Sequence, residues 1–200
     1  MKTRCLLVLA VLAAMAAGVV AAAEVGKPAP GFELKDVDGK VHSLADYKGK
    51  LVVLEWTNFG CPFVKKHYDS GNMQSLQERY TGKGVVWLTV GSSAPGKQGN
   101  FAPDVWKQEL AKKGSKATAV LLDPEGTTGH AYGAKTTPHM FVVDGDGVLR
   151  YAGAIDDNPS WNPKTLKGAH NYVAAALDAL LAGNPVDVTQ TTAYGCSVKY

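Results

Sequence analysis

The chain has 200 residues, with 21 Lys and Arg against 18 Asp and Glu, and its formal net charge is +3. This near balance of charge does not favour a role on nucleic acid or on a membrane surface. The length is enough for one domain with a full core, whereas three cysteines are too few for a disulfide scaffold.

The first 23 residues are predicted to be a secretory signal peptide. Lys2 and Arg4 precede a long apolar stretch, and three alanines at 21–23 provide a cleavage site before Glu24. A retained membrane anchor is the alternative, but the glycine and alanines make it a weak span. Cleavage would leave 19 basic and 18 acidic residues. The sequence therefore predicts a periplasmic or secreted protein that has no membrane contact once the leader is cleaved.

The remaining chain is expected to form one domain over residues 24–184, followed by a tail over 185–200. Its hydrophobic pattern predicts alternating strands and helices. The predicted strands are Phe32–Lys35, Val41–Leu44, Leu51–Thr57, Val85–Val90, Ala117–Leu122, Met140–Val143 and Val148–Ala152. The predicted helices are Phe63–Tyr80, interrupted near Gly71, and then Pro103–Lys113, Thr127–Tyr132 and Thr165–Leu181. The class is α/β.

Cys61 lies where a buried strand gives way to a helix. A thiol at a helix start is close to unpaired backbone N–H groups and to the positive end of the helix dipole, which favours the reactive thiolate. Pro62 suits the first helical position, because its missing N–H has no partner there in any case. Cys61 is therefore predicted to be a reactive cysteine, and an inert buried cysteine is the alternative.

Residues 26–182 resemble the thioredoxin-fold redoxin group, which includes the alkyl hydroperoxide reductase/thiol-specific antioxidant enzymes and the periplasmic thioredoxin-like proteins. The motifs are LVVLEWTNFGCPFVK, AYGAKTTPHMFVVDGDGVLRYAG and the lead GKPAPGFELKDVDGKVHSLADYKGK. The resemblance implies a thioredoxin-like fold, a central mixed sheet flanked by helices with an N-terminal hairpin extension and a C-terminal tail. It also implies that Thr137 and Pro138 form a cis-proline element facing Cys61.

The sequence departs from both catalytic patterns of this group. The second cysteine of a Cys-X-X-Cys motif is replaced by Val64. The threonine of the peroxidase pattern is replaced by Asn58, with Thr57 one position away. Arg150 is the better of the two arginines that follow the predicted leader for polarising a peroxide, although an exposed strand charge is the simpler interpretation.

Several side chains are candidate helpers of Cys61. Glu55, six residues earlier on a predicted buried strand, could accept a proton with a raised pKa, or it could turn towards a polar edge. Lys65 and Lys66 could favour an anion or simply form a solvated helix face. His67 and His139 could assist acid/base chemistry or be ordinary histidines.

Cys196 in the tail could supply the missing second thiol. It would attack oxidised Cys61 and form a disulfide, provided that the tail reaches the site. A static bridge, a bond to a partner chain and a free thiol are the alternatives.

Two classes of function follow. The first is a thiol oxidoreductase that uses Cys61 for thiol/disulfide exchange or hydroperoxide reduction, with an external thiol as electron donor. The second is a binding module, in which Cys61, a histidine and Met140 hold copper, or a non-catalytic redox-fold protein. No cofactor site is predicted, and nothing in the pattern supports a zinc site.

Overall fold

The computed structural model describes residues 22–200, and its chain alternates strands with helices. The strands are β1 (Glu33–Asp36), β2 (Val41–Ser43), β3 (Val52–Trp56), β4 (Val86–Gly91), β5 (Ala119–Leu122), β6 (Thr136–Thr137), β7 (His139–Val143), β8 (Leu149–Gly153) and β9 (Cys196–Ser197). The helices are α1 (Pro62–Asp69), α2 (Asn72–Thr81), α3 (Pro103–Lys113), α4 (Thr127–Tyr132) and α5 (Tyr172–Leu181), with 3-10 turns at Leu44–Tyr47 and Pro163–Leu166.

A seven-stranded mixed sheet forms the centre of the molecule. Its strand order is β2-β1-β5-β4-β3-β7-β8. Strands β3, β4 and β5 are parallel, while β7 runs antiparallel to β3. All five residues of β3 are buried, as expected for a central strand whose two faces are both covered. The predicted central mixed sheet flanked by helices is confirmed.

The long helix predicted after Cys61 is divided in two. Gly71 separates α1 from α2 and adopts a φ of +77°, a left-handed conformation that glycine adopts without steric cost. The predicted interruption is therefore confirmed.

The helix predicted over Thr165–Leu181 is wrong in its first half. Gly168 has a φ of +83°, and α5 begins only at Tyr172. The side chain of Asn171 caps this start, because its oxygen accepts a hydrogen bond from the Ala174 N–H at 2.8 Å. The alanine-rich composition predicted a longer helix than the glycine and the cap permit.

The sheet separates two apolar layers, and β3 contributes alternate residues to each. Val52, Leu54 and Trp56 pack into one layer, whereas Val53 packs into the other together with Cys61. The two-residue period of a strand puts Glu55 on the same face as Val53. The only acidic residue of β3 therefore lies on the side of the sheet that carries the thiol.

The tail packs back across the domain. Gln190 forms a parallel bridge with Ala152, and β9 pairs antiparallel with β6. Beyond β9, the Ala94 N–H donates to the Lys199 carbonyl oxygen at 2.7 Å. The ring of Tyr200 then stacks on His130, with 3.9 Å between the ring centroids. A segment without hydrophobic periodicity is thus held by contacts from Gln190 to Tyr200.

The predicted leader lies outside the described residues, apart from Ala22 and Ala23. Among residues 22–200, the helices are all too short or too polar to cross a membrane.

Candidate active site

Cys61 is the N-cap residue of α1. Its backbone is extended, with a φ of −77° and a ψ of 128°, and Pro62 occupies the first helical position. The Cys61 N–H donates to the Asn58 carbonyl oxygen at 2.9 Å, which tightens the turn between β3 and the helix. The residue is 0% exposed. The thiol is therefore at the helix N-terminus predicted from the sequence, but it is covered.

The Cys61 thiol packs against the backbone of Thr137. The Cys61 Sγ donates to the Thr137 carbonyl oxygen at 3.0 Å, and the Thr137–Pro138 peptide bond is cis. The Thr137 hydroxyl is buried and has no hydrogen-bond partner among residues 22–200, which leaves its proton free for a Cys61 thiolate. The element implied by the family resemblance thus lies against the cysteine.

Cys196 reaches the same place from the end of the chain. In the β6–β9 pair, Cys196 is directly opposite Thr137. The preceding residue, Gly195, has a φ of +139°, and a Cβ there would overlap the Thr137 carbonyl. Both cysteines are free thiols, and they are close enough for each thiol to shift the pKa of the other. The backbone approach that brings Cys196 to Cys61 therefore requires glycine at 195.

The pKa values of the two thiols are shifted in opposite directions. Burial raises the pKa of Cys61, but the Cys196 thiol, the backbone of Val64 and Cys196 and the Thr137 hydroxyl stabilise its thiolate and outweigh burial, so the pKa falls below the ordinary value. Burial and the neighbouring Cys61 raise the pKa of Cys196 to about 11. Cys61 is thus the thiol that ionises first, and Cys196 remains a proton donor beside it.

A buried polar cluster lies behind the two cysteines and holds the tail. The Tyr194 hydroxyl donates to the Asp156 carboxylate, and it lies 3.3 Å from Lys66 Nζ and 3.2 Å from His67 Nε2. Lys66 Nζ also donates to the Asn158 carbonyl oxygen at 2.7 Å and lies 3.6 Å from Asp156 Oδ2. We call Lys66, His67, Asp156 and Tyr194 the anchor cluster.

Burial decides the protonation of the anchor cluster. It lowers the pKa of His67 to about 3, with help from Lys66, so the imidazole is neutral at physiological pH. The Asn72 amide nitrogen donates to His67 Nδ1 at 2.8 Å, which leaves the ring proton on Nε2, pointing at Tyr194. Burial and the Asp156 carboxylate raise the pKa of Tyr194. Its hydroxyl therefore stays protonated and available to Asp156.

Glu55 is fully buried in a separate polar pocket. Its carboxylate accepts hydrogen bonds from Tyr68 Oη at 2.9 Å, Trp87 Nε1 at 2.8 Å and Gln77 Nε2 at 3.2 Å, with Thr89 at 3.4 Å. Burial raises its pKa despite these donors. The sequence left open whether Glu55 is a buried acid or turns towards a polar edge, and in the structure it is buried. These donors belong to the core, and Cys61 is not one of them.

The other candidate helpers lie in different settings. Lys65 is exposed, as a solvated helix face predicts, but Lys66 is only 2% exposed, so the solvated interpretation is wrong for it. Arg150 pairs with Asp144 within the β7–β8 hairpin. His139 is buried, its Nδ1 accepts the Lys135 N–H at 3.2 Å, and burial lowers its pKa to about 4.

Sequence reasoning missed Tyr194, Gly195 and Asp156. Tyr194 and Gly195 stand in the motif AYGCSVKY, so a tyrosine and a glycine directly before the tail cysteine were the available signal. Asp156 lies in an irregular segment, and its role depends on α1 and the tail, which are distant in sequence.

This sheet, the cis-proline element and the thiol at the helix N-terminus define a thioredoxin-like protein of the redoxin group. Residues 25–152 match the AhpC/TSA family, and the chain belongs to that family. The resemblance stated from the sequence motifs is confirmed.

Named relatives give the family assignment more detail. The thiol-disulfide oxidoreductase ResA of Bacillus thuringiensis is 29% identical over 126 residues, which are 63% of this chain and 67% of that protein. The thiol:disulfide interchange protein DsbE of Escherichia coli is 31% identical over 139 residues, 68% of each chain. A crystal structure of an uncharacterized conserved protein from Geobacillus kaustophilus superimposes with a TM-score of 0.77 at 32% identity, covering 88% of this chain and 92% of that one. These relatives bear out a thiol oxidoreductase as the predicted enzyme class.

Proposed function

We propose that the protein catalyses thiol/disulfide exchange with Cys61 as the attacking thiolate and Cys196 as the resolving thiol. The observation that carries the proposal is the pairing of Cys196 with Thr137, which puts the tail thiol beside Cys61. The names of the ResA and DsbE relatives support exchange as the reaction type.

The reaction has two steps in each direction. The Cys61 thiolate attacks one sulfur of a partner disulfide, forms a mixed disulfide and releases the other partner sulfur as a thiolate. Cys196 then loses its proton and attacks Cys61 Sγ, forming the Cys61–Cys196 disulfide and releasing the second partner thiolate. An external dithiol donor reverses the sequence and returns two electrons and two protons to the cysteines.

Thr137 and Glu55 have distinct proposed roles. The Thr137 hydroxyl donates to the Cys61 thiolate, and the Thr137–Pro138 element keeps the carbonyl and the tail strand next to it. Glu55, with its raised pKa, is proposed as a proton acceptor that acts from the sulfur-bearing side of the sheet.

Hydroperoxide reduction is the second candidate, and membership of the AhpC/TSA family favours it. The Cys61 thiolate would attack the peroxide, forming a sulfenic acid and releasing an alcohol or water. Cys196 would then displace water from the sulfenic acid and form the same disulfide. The two candidates therefore differ only in the oxidant.

We also propose that the protein works outside the cytoplasm, where disulfides persist, because residues 1–23 have the pattern of a signal peptide. Its partners would be an external thiol electron donor and an oxidised thiol or hydroperoxide. Among residues 22–200, no cluster of three or more His, Cys, Asp or Glu side chains could hold a metal ion.

The proposal is tested by oxidising the reduced protein with a small disulfide or with hydrogen peroxide and measuring its mass after alkylation. The wild-type protein should form an intramolecular Cys61–Cys196 disulfide. Cys196→Ser should stop at the mixed disulfide or the sulfenic acid on Cys61, and Cys61→Ser should form neither of these species at position 61 nor the intramolecular disulfide. Turnover of Cys196→Ser equal to that of the wild-type protein would exclude the resolving role.

A further inference from the structure

Both cysteines are positioned by the same helix. Cys61 caps the start of α1, and Lys66 and His67 stand one to two turns further along it. Those two side chains contact Tyr194, which is two residues before Cys196. The location of the tail thiol is therefore defined relative to α1, the helix that presents its target.

Tyr194 has every hydrogen-bonding position of its hydroxyl occupied. The oxygen accepts from Lys66 Nζ and His67 Nε2, and the proton goes to the Asp156 carboxylate. A phenolic hydroxyl has one donor and two acceptor positions, so this arrangement satisfies all three. The Tyr194 ring also packs on Phe63 in the first turn of α1, with centroids 5.8 Å apart.

The backbone between Tyr194 and Cys196 is closely packed and has little freedom to move. Gly195 runs against the Thr137 carbonyl, and Cys196 pairs with Thr137 directly afterwards. Loss of the Tyr194 contacts would release the strand that covers Cys61 and bears Cys196. Release should speed the attack of Cys61 on a partner, because Cys61 becomes accessible. It should slow the formation of the Cys61–Cys196 disulfide, because Cys196 moves away from Cys61.

We infer that Tyr194 is a positioning residue for the resolving step, held by Lys66, His67 and Asp156 so that Cys196 lies beside Cys61. The inference rests on the proposed two-cysteine cycle. The anchor cluster raises the effective concentration of the Cys196 thiol at Cys61, and it also closes the site to bulky partners until the tail lifts. Its members need no contact with a substrate.

The test uses oxidised glutathione and the reduced full chain in a rapid acid-quench experiment. Mass analysis separates the first step, glutathionylation of Cys61, from the second, formation of the Cys61–Cys196 disulfide with release of glutathione. In Tyr194→Phe, the second step should slow about tenfold, the factor that corresponds to about 1.4 kcal/mol. The first step should be as fast as in the wild-type protein or faster.

Tyr200→Phe is the matched control. Tyr200 is also a tail tyrosine with a hydroxyl hydrogen bond, to the Ala134 carbonyl oxygen at 2.8 Å, but it lies beyond Cys196. Its removal should leave both rates within about twofold of the wild-type values. Lys66→Gln should reproduce the Tyr194→Phe pattern, which guards against a folding defect peculiar to one variant.

The outcomes separate the two proposals. A wild-type protein that never forms the Cys61–Cys196 disulfide would overturn the proposed function and the role of Tyr194 with it. A wild-type disulfide combined with an unchanged second step in Tyr194→Phe and Lys66→Gln would overturn the positioning role alone. Equal slowing of both steps would also overturn it, because general destabilisation does not distinguish between them.

Discussion

Thr137 interacts with both cysteines of the candidate active site through adjacent groups. Its carbonyl oxygen accepts the Cys61 thiol at 3.0 Å, and its backbone is paired with Cys196 in the β6–β9 strand pair. One residue therefore joins the thiol at the start of α1 to a thiol 135 positions later in the chain.

The two thiols should titrate in separate steps. The pKa of Cys61 is below the ordinary value and that of Cys196 is about 11, so the ultraviolet absorbance of thiolate should rise in two well-separated stages with pH. Because the Cys196 thiol donates to Cys61, Cys196→Ala should leave one stage, shifted upwards. Cys61→Ala should lower the Cys196 stage. A single stage at the ordinary cysteine pKa in both variants would contradict the paired arrangement.

Thr137→Val should raise the pKa of Cys61. Valine keeps the shape of the side chain but lacks the hydroxyl that lowers this pKa. The first thiolate stage should therefore move to higher pH in this variant. Thr57→Val removes another buried hydroxyl without a hydrogen-bond partner in the described chain and serves as the control. Equal titration curves for the two variants would exclude the contribution of Thr137.

Gly195→Ala should displace the tail. The added methyl would overlap the Thr137 carbonyl, and the φ of +139° is unfavourable for alanine. We expect slower formation of the Cys61–Cys196 disulfide, by about tenfold or more, together with faster alkylation of Cys61. Gly183→Ala is the matched control, since Gly183 also has a positive φ, of +73°, but has open space around it.

Gly183→Ala should lower the free energy of unfolding only by its backbone strain, about 1–2 kcal/mol. Both variants are checked by thermal unfolding and by the rate of disulfide formation. A Gly195→Ala protein that forms the disulfide at the wild-type rate would show that the close approach at Thr137 is unnecessary.

Glu55→Gln should remove part of the pH dependence of stability. Below the ordinary glutamate pKa, Glu55 is protonated in both the folded and the unfolded states. Its stabilising contribution to the free energy of unfolding is then fully present. As the pH rises further, the unfolded chain releases the proton first, so the free energy of unfolding falls until the raised native pKa is passed. The slope is at most about 1.4 kcal/mol per pH unit. Urea unfolding from acid to neutral pH should show this fall in the wild-type protein only.

The same variant tests the proton-acceptor role of Glu55. A general base of this kind contributes about 100-fold or more, so Glu55→Gln should slow disulfide exchange by that factor near neutral pH. Stopped-flow exchange with a small disulfide measures the rate. An unchanged rate with an altered stability profile would leave Glu55 with a structural role alone.

Local sequence patterns predicted the parts of the fold that are determined locally. The apolar run of β3, the helix start at Cys61-Pro62 and the break at Gly71 each depend on a few neighbouring residues. The start of α5 was misplaced because alanine composition favours helix, while the Asn171 cap depends on side-chain geometry.

The location of the tail could not be derived in the same way. Its path depends on Tyr194 reaching Lys66 and Asp156, and on Gly195 fitting against Thr137, and none of these pairs is close in sequence. The burial of Lys66 has the same origin, because a lysine on a helix is normally solvated unless a distant carboxylate and carbonyl receive it.

The long separation of Cys61 and Cys196 links oxidation to folding. A disulfide between them would close a loop of about 135 residues, and by chain entropy such a cross-link destabilises the unfolded state by about 5 kcal/mol. The linkage is reciprocal, so every contact that holds the folded tail in place also makes the disulfide harder to reduce. The redox state of the protein should therefore be visible in its melting temperature, and the reduction potential of the pair should follow the stability of the whole domain.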